Sequence, residues 1–333
     1  MILVTGGTGL VGAHLLYELT KTNDVVKAIY RTEKSLQAVE NVFSFYTENA
    51  SQQFAKIEWI LADVTDIPSL EIAFVNVTKV YHCAALVSFD SKKYKEMRRV
   101  NIDGTANIVN FCVSHKVKKI CFVSSIAAVG NALHNAKTTE ENEWNVETDS
   151  SGYSITKYGA EMEVWRGSQE GVDVVIVNPG IILGPGFWHV NSGEFFTKVA
   201  NSFKFYTEGI TGYVGVDDVV NAMVLLMESA VKSERFVLVS ENKSFKEIFD
   251  VIAKNLQKTT PTIKVSKNLT AFLWRLDWLA SILTNKGRAI TKKSANSLHS
   301  KTFYSSNKIK KTLNFEFVSV EKVIEKTCSF FPK

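Results

Sequence analysis

Cysteine and histidine are scarce, and neither is spaced to hold a metal. The four cysteines, Cys83, Cys112, Cys121 and Cys328, form no CxxC pair, and the six histidines show no HExxH or similar spacing. No metal site is therefore expected. Three of the cysteines lie in apolar runs and read as buried free thiols, which points to a reducing, cytoplasmic setting. An excess of one charge is also missing. The 39 Lys and Arg residues face 34 Asp and Glu and are spread along the chain, which argues against a nucleic-acid partner. The chain opens directly on an apolar strand, so no signal peptide is expected. The stretch Thr270 to Leu283 is rich in Leu, Trp and Phe, but Arg275 and Asp277 interrupt it. It is too short to span a bilayer and is expected to be a packed helix rather than an integral membrane segment; association at a membrane surface is the weaker reading.

What remains is an ordinary globular composition, 45% hydrophobic and 22% charged over 333 residues. That is enough for one large domain or two closely joined ones. The informative part lies at the start. Met1-Ile2-Leu3-Val4 is an apolar run that leads into Thr5-Gly6-Gly7-Thr8-Gly9-Leu10-Val11-Gly12 and then into a helical stretch from His14 to Thr20. Strand, glycine turn and helix in this order make a dinucleotide site. Gly6 allows the tight turn, Gly9 the approach of a pyrophosphate, and Gly12 the packing of helix on strand. The pyrophosphate would sit on free N–H groups at the helix N-terminus.

Apolar runs then alternate with helical patterns. Strands are expected at Val25–Tyr30, Ile57–Ala62, Lys79–His82, Lys119–Ser124 and Val172–Val177, with helices near 9–21, 33–48, 66–75, 91–114 and 153–169. Strict alternation implies an α/β fold of Rossmann type, a doubly wound parallel sheet covered on both faces. After Gly180 the regularity is lost. Helices are expected near 193–202, 216–230, 244–256 and 270–283, with one returning strand at Arg235–Ser240. Residues 1–180 thus read as the NAD(P)-binding domain, rejoined by the chain at 210–240. Residues 181–333 read mainly as a smaller C-terminal substrate lobe.

A second constellation carries chemistry. Tyr153 and Lys157 are four apart and share one helix face. An ammonium beside a phenol is expected to lower the tyrosine pKa from about 10, which suits proton exchange with a substrate oxygen near neutral pH. Ser124 and Ser125 end an expected parallel strand, where ligand chemistry in such sheets occurs. Either serine could orient a substrate oxygen or simply cap a turn.

With these residues in hand, the chain resembles the extended short-chain dehydrogenase/reductase family, also called the NAD-dependent epimerase/dehydratase group. Thr5–Gly12 matches its TGxxGxxG loop, and Asp63-Val64 the position beside the adenine. Cys83-Ala84-Ala85 matches the turn after the fourth strand, and Asn101–Thr105 the NxxGT helix. Asn178-Pro179-Gly180 followed by Gly184-Pro185-Gly186 matches the segment on the nicotinamide side. Tyr213–Val219 resembles the later YVHVDDV element. Lys308–Phe315 resembles the C-terminal K-x-x-x-x-LGF signature, with Asn314 in place of glycine. The resemblance implies Ser125, Tyr153 and Lys157 as the catalytic triad. It implies Thr5, Gly6, Thr8, Gly9, Leu10, Val11, Gly12, Asp63, Val64, Ala84, Ala85, Ser124, Tyr153, Lys157, Pro179 and Gly180 as cofactor contacts. It also implies a homodimer through the helices near 91–114 and 153–169.

The end of the second strand separates the cofactors. An acid there would bond the ribose 2′-hydroxyl of NAD, whereas an arginine would meet the 2′-phosphate of NADP. The chain reads Tyr30-Arg31-Thr32 at this point, which favours NADP(H) over NAD(H). Ile126 and Ala127 stand where the 4,6-dehydratases carry an Asp-Glu pair, and Asn178 stands where epimerases usually have Arg. VKAIYR, NPGIILGPG and the later LTNKGRAITKKSA stretch look closer to dihydroflavonol-4-reductase-like and 3β-hydroxysteroid-dehydrogenase-like members. The expected function is NADP-dependent reduction of a carbonyl, or oxidation of an alcohol, on a small-molecule substrate. The alternatives are an NAD-dependent nucleotide-sugar epimerase and a non-catalytic NADP-binding regulator. Asp217 and Asp218 are expected to cap a helix and His82 to pack without catalysing, while Asn101 could bond locally and Asp63 could cap the turn before Thr65-Asp66. Trp188, Phe195, Phe196 and Phe203 could line a pocket but are expected to be core.

Overall fold

The computed structural model describes residues 1–22, 25–132, 136–147, 151–284 and 292–332. In the first half, strands β1 (Ile2–Thr5), β2 (Val26–Tyr30), β3 (Ile57–Leu61), β4 (Lys79–His82), β5 (Lys119–Val123) and β6 (Asp173–Pro179) alternate with helices. These are α1 (Leu10–Thr22), α2 (Leu36–Ser44), α3 (Ala50–Phe54), α4 (Ile67–Ala73), α5 (Tyr94–Arg98), α6 (Gly104–Ser114) and α7 (Gly152–Gln169). The helix expected near 91–114 is not continuous. A π-helical turn, Arg99–Asp103, joins α5 to α6, a local widening of the kind often found at functional sites.

The second half holds more strand than its sequence suggested. After β7 (Ile181–Leu183) come α8 (Gly193–Ala200), β8 (Phe205–Tyr206), β9 (Ile210–Gly215), α9 (Val216–Glu228), β10 (Glu234–Leu238) and β11 (Glu241–Ser244). Then follow α10 (Phe245–Asn255), β12 (Ile263–Lys264), α11 (Lys267–Thr284), α12 (Lys292–Ser297), α13 (Asn307–Leu313) and α14 (Val320–Ser329). Strands β7, β9 and β11 form a separate three-stranded sheet. They escape a periodicity reading because they are short and alternate poorly. From Asn285 to Thr291 the LTNKGRAITKKSA stretch lies outside the described residues.

The main sheet has the order β10-β6-β5-β4-β1-β2-β3, every neighbour parallel. Chain progression reverses between β1 and β4, and the carboxyl ends of those two strands define the crevice where such sheets bind ligands. The inner strands are nearly continuous apolar runs because helices cover both faces. Val4, Leu16, Val177 and Met223 belong to the core on one side, and Leu3, Val80, Ile120 and Phe122 to that on the other. A third core, under the smaller sheet, takes Phe196 with Trp188, Phe195 and Phe203 packed around it. The aromatic cluster is therefore core. Asn314 ends α13 in the left-handed region at φ 50°. Asn tolerates that conformation better than other side-chain-bearing residues, which accounts for its standing at the glycine position.

Candidate active site

The glycine turn is built by backbone contact. Gly6 sits at φ +66°, and a Cβ there would lie 2.5 Å from the amide nitrogen of Ala84, so the loops after β1 and β4 touch through main chain. A Cβ on Gly12 would lie 2.2 Å from the Gly6 carbonyl oxygen. Gly9 differs: a Cβ there meets only the Gly6 oxygen, at an ordinary 3.5 Å. Internal packing does not require glycine at that position, whereas an approaching pyrophosphate would. No acidic side chain occupies the first turn of α1, so its free N–H groups and positive dipole end have no carboxylate of their own. On both counts the loop fits a dinucleotide.

A buried chain of hydrogen bonds ties this turn to the helices beyond it. The Thr105 hydroxyl donates to the Asn101 carbonyl (2.5 Å), so its oxygen accepts from His82 Nε2 (2.9 Å). His82 Nδ1 then accepts from the Thr5 hydroxyl (2.6 Å), and the Thr5 oxygen accepts from the Ala84 N–H (3.3 Å). This order requires a neutral imidazole, and burial pushes the His82 pKa down to about 3. His82 is therefore a fixed bracket between glycine turn and π-turn. Asn101 does not bond locally. Its side chain accepts from Leu86 N (2.7 Å) and donates to Leu86 O (3.0 Å) and Thr156 Oγ1 (3.1 Å), joining the loop after β4 to α7.

Helix α7 begins with Ser151, whose hydroxyl accepts from Ser154 N. Tyr153 is half-buried and edge-on to Phe89 at 6.1 Å, with the Ser125 hydroxyl nearby. Burial holds its pKa above the ordinary phenol value, with Ser125 opposing. The expected depression by Lys157 is not found, because that ammonium is engaged elsewhere. Lys157 Nζ donates to the Val123 carbonyl (2.8 Å) and lies 4.4 Å from the centre of the Phe122 ring. Burial lowers its pKa to about 8, and the carboxylate of Glu161 works against that fall.

The two strand-end serines separate. Ser125 both caps the short turn after β5, accepting from Ala127 N (3.1 Å), and reaches Tyr153. Ser124, expected among the cofactor contacts, instead turns its hydroxyl inward to Glu161 (2.7 Å). Glu161 was missed by the sequence reading. Its carboxylate is fully buried and receives Ser124, Asn178 Nδ2 (2.9 Å) and Arg235 Nη1 (2.9 Å). Arg235 also donates to the carbonyls of Glu140 (3.0 Å) and Asn142 (3.2 Å), and Asn178 also donates to the Ser125 carbonyl (3.0 Å). The available signal was one more helical turn, since Glu161 follows Lys157 as Lys157 follows Tyr153.

The remaining expected contacts are distributed as follows. Arg31 is 69% exposed and lies 3.9 Å from Asp63. Asp63 also accepts from both the amide and the hydroxyl of Thr65, each at 2.8 Å, so it does fix a turn. The Val64 carbonyl accepts from Asn107, and its side chain fills the space left by Gly104. Gly180 has a packing reason of its own, because a Cβ would lie 2.4 Å from the Gly212 oxygen. Asp217 and Asp218 do not cap α9, whose N-cap is Gly215. They tie it down: Asp218 accepts from Val318 N (3.1 Å), and Asp217 accepts from Tyr46 (3.1 Å) and Lys326 (2.5 Å).

The chain is similar to known proteins over most of its length. A family model described as male sterility protein matches residues 4–237. Sterol demethylase protein B of Methylococcus capsulatus is 26% identical over 80% of this chain and 78% of its own length. A putative dihydroflavonol 4-reductase of Synechocystis is 27% identical over 74% of this chain and 69% of its own length. Among solved structures, the UDP-glucose 4-epimerase of Thermotoga maritima with UDP-glucose superimposes with a TM-score of 0.77 at 19% identity. The match covers 99% of this chain and 97% of that one, a likeness of fold.

Proposed function

The chain belongs to the male sterility protein family, within the extended short-chain dehydrogenases/reductases, and is an NAD(P)-dependent oxidoreductase; from that premise we propose that it reduces a carbonyl of a small organic substrate with NADP(H), or oxidises the alcohol in reverse. The observation that carries this reading is the proximity of Ser125, after the end of β5, to Tyr153 on the helix that also bears the buried Lys157.

When bound, the reduced nicotinamide supplies the hydride; the protein supplies position and charge. The glycine turn and the start of α1 hold the pyrophosphate, and exposed Arg31 meets the 2′-phosphate. Ser125 orients the substrate oxygen, and Tyr153 gives it a proton. An upward-shifted phenol is a weaker acid, so Tyr153 remains protonated until a neighbouring oxygen gains charge. Lys157, on the same face of α7 and held by the Val123 carbonyl, would position the nicotinamide ribose. Phe89, over Tyr153, and the lobe built from residues 181–333 shape the substrate side.

The test is a cofactor titration followed by an oxidation screen across aldehydes and ketones. Tyr153→Phe should lower turnover by about two to four decades while leaving dinucleotide affinity nearly unchanged. Unchanged turnover, with chemistry rate-limiting, would overturn the assignment. A wild-type protein that binds NADPH and oxidises it with no carbonyl would favour the epimerase reading, then the regulator.

A further inference from the structure

Helix α11 is built inside out. The residues it turns toward the protein include Thr270 and Ser281, both buried, and Ala271, Trp274 and Asp277, half-buried. Thr270 is fixed by hydrogen bonds to Ser266 O (3.0 Å) and His299 Nε2 (2.7 Å). The opposite side carries Leu269, Phe272, Leu273 and Leu276, each between 38% and 57% exposed. Their spacing, i, i+3, i+4 and i+7, draws one stripe along the helix. The expected helix forms and packs through Thr270 and Ser281. The apolar stripe exists but faces away from the core. Just upstream, Ile263 pairs with Phe205 in β12 and β8, and both are exposed as well.

Charge around this stripe is one-sided. From Ile263 to Lys301 the sequence has eight Lys and Arg and a single acid, Asp277. Taking these from the chain totals of 39 and 34 leaves 31 and 33 elsewhere, so this segment alone accounts for the net positive charge. Lys264, Lys267, Arg275, Lys292 and Lys301 are exposed. A second copy of the chain seated on the same face would bring these like charges together. An anionic lipid surface would meet them with the opposite sign, while accepting Phe and Leu at the level of the headgroups. No helix among the described residues is long and apolar enough to cross a membrane. We propose that the outward face of α11 docks the enzyme on anionic membrane surfaces, lying in the interface with its basic residues against the lipid headgroups.

Vesicle flotation of the full chain tests this. The probes are phosphatidylcholine alone and phosphatidylcholine with roughly a third phosphatidylserine. The protein should float with the mixed vesicles, weakly or not at all with neutral ones, and be released by salt. Replacing Phe272→Ser and Leu276→Ser together should lower partitioning by about tenfold or more. Thermal unfolding and dinucleotide affinity should not move, because both side chains face solvent. Lys267→Ser and Lys292→Ser should cost about fivefold each on mixed vesicles. Binding to neither vesicle, or flotation of the Phe272/Leu276 variant equal to wild type, overturns the proposal. So does a wild-type dimer that the same variant converts to monomer in the absence of any vesicle binding.

Discussion

The glycine turn and the Tyr153–Lys157 helix flank one crevice, yet different forces hold them. The turn is held by main chain against main chain. Gly6 abuts Ala84, and Gly12 abuts Gly6, with the Thr5 hydroxyl the side chain that joins them to His82. The Tyr153–Lys157 helix is held by side chains drawn from distant parts of the chain. Glu161 gathers Ser124, Asn178 and Arg235, and Lys157 is pinned to the last residue of β5, Val123. A backbone-built site tolerates no added atom but is indifferent to charge. A network-built site tolerates changes of shape but depends on every partner being present.

That contrast can be broken at four points. The largest effect is expected from Glu161→Ala. Removing one partner of a buried ion pair leaves the Arg235 guanidinium without its carboxylate, a loss of about 3–5 kcal/mol. Chemical denaturation should report it, and a change below about 1 kcal/mol would mean the network is ornamental. Next come two glycines in the turn. Gly12→Ala forces a methyl onto the Gly6 carbonyl and should destabilise the fold by about 1–3 kcal/mol. Gly9→Ala, with an ordinary 3.5 Å contact, should fold normally and lose dinucleotide affinity. If both variants lose stability equally, the separation of packing glycine from binding glycine fails.

Arg31→Ala tests the one place where the cofactor side depends on a side chain. A charge-assisted pair with a phosphate is worth about 1.5–3 kcal/mol. NADPH affinity should therefore fall by about one to two decades while NADH affinity stays put. Equal affinities in the unaltered protein would remove Arg31 from the site. The smallest and most graded effect is pH. Lys157 is charged below about 8 and loses its proton above it, so turnover should decline as pH rises through that value. Stability should move the other way. Between about 8 and the ordinary 10.5, the unfolded chain retains a proton that the folded one has released, so unfolding becomes harder across that window. The glycine turn has no titrating group and predicts no such opposition for dinucleotide binding governed by the turn alone.

The parts of the site that could be read in advance share a property. Thr5–Gly12, Tyr153 with Lys157, and the strands from β1 to β6 are each specified within a dozen residues, where local geometry and period suffice. Glu161 could have been reached by extending one helical turn. Its partners could not, because Arg235 lies 74 residues away along the chain. The same limit explains Asn101, read as a local bond although its partners are Leu86 and Thr156. Asp217 and Asp218, too, were read as caps although they hold the C-terminal segment.

The sequence by itself determined the alternation of strand and helix, hence a parallel sheet, and the steric necessity of glycine in the first turn. Both follow from backbone conformation, which is local. The tertiary structure decided which strands became neighbours in the smaller sheet and which buried carboxylate stands behind the catalytic helix. It also decided which way α11 faces. A period of 3.6 reveals that a helix has an apolar side, and the pattern is unchanged when the helix is turned over. Only packing against the rest of the chain, where Thr270 and Ser281 are buried and Phe272 and Trp278 are left outside, fixes the choice.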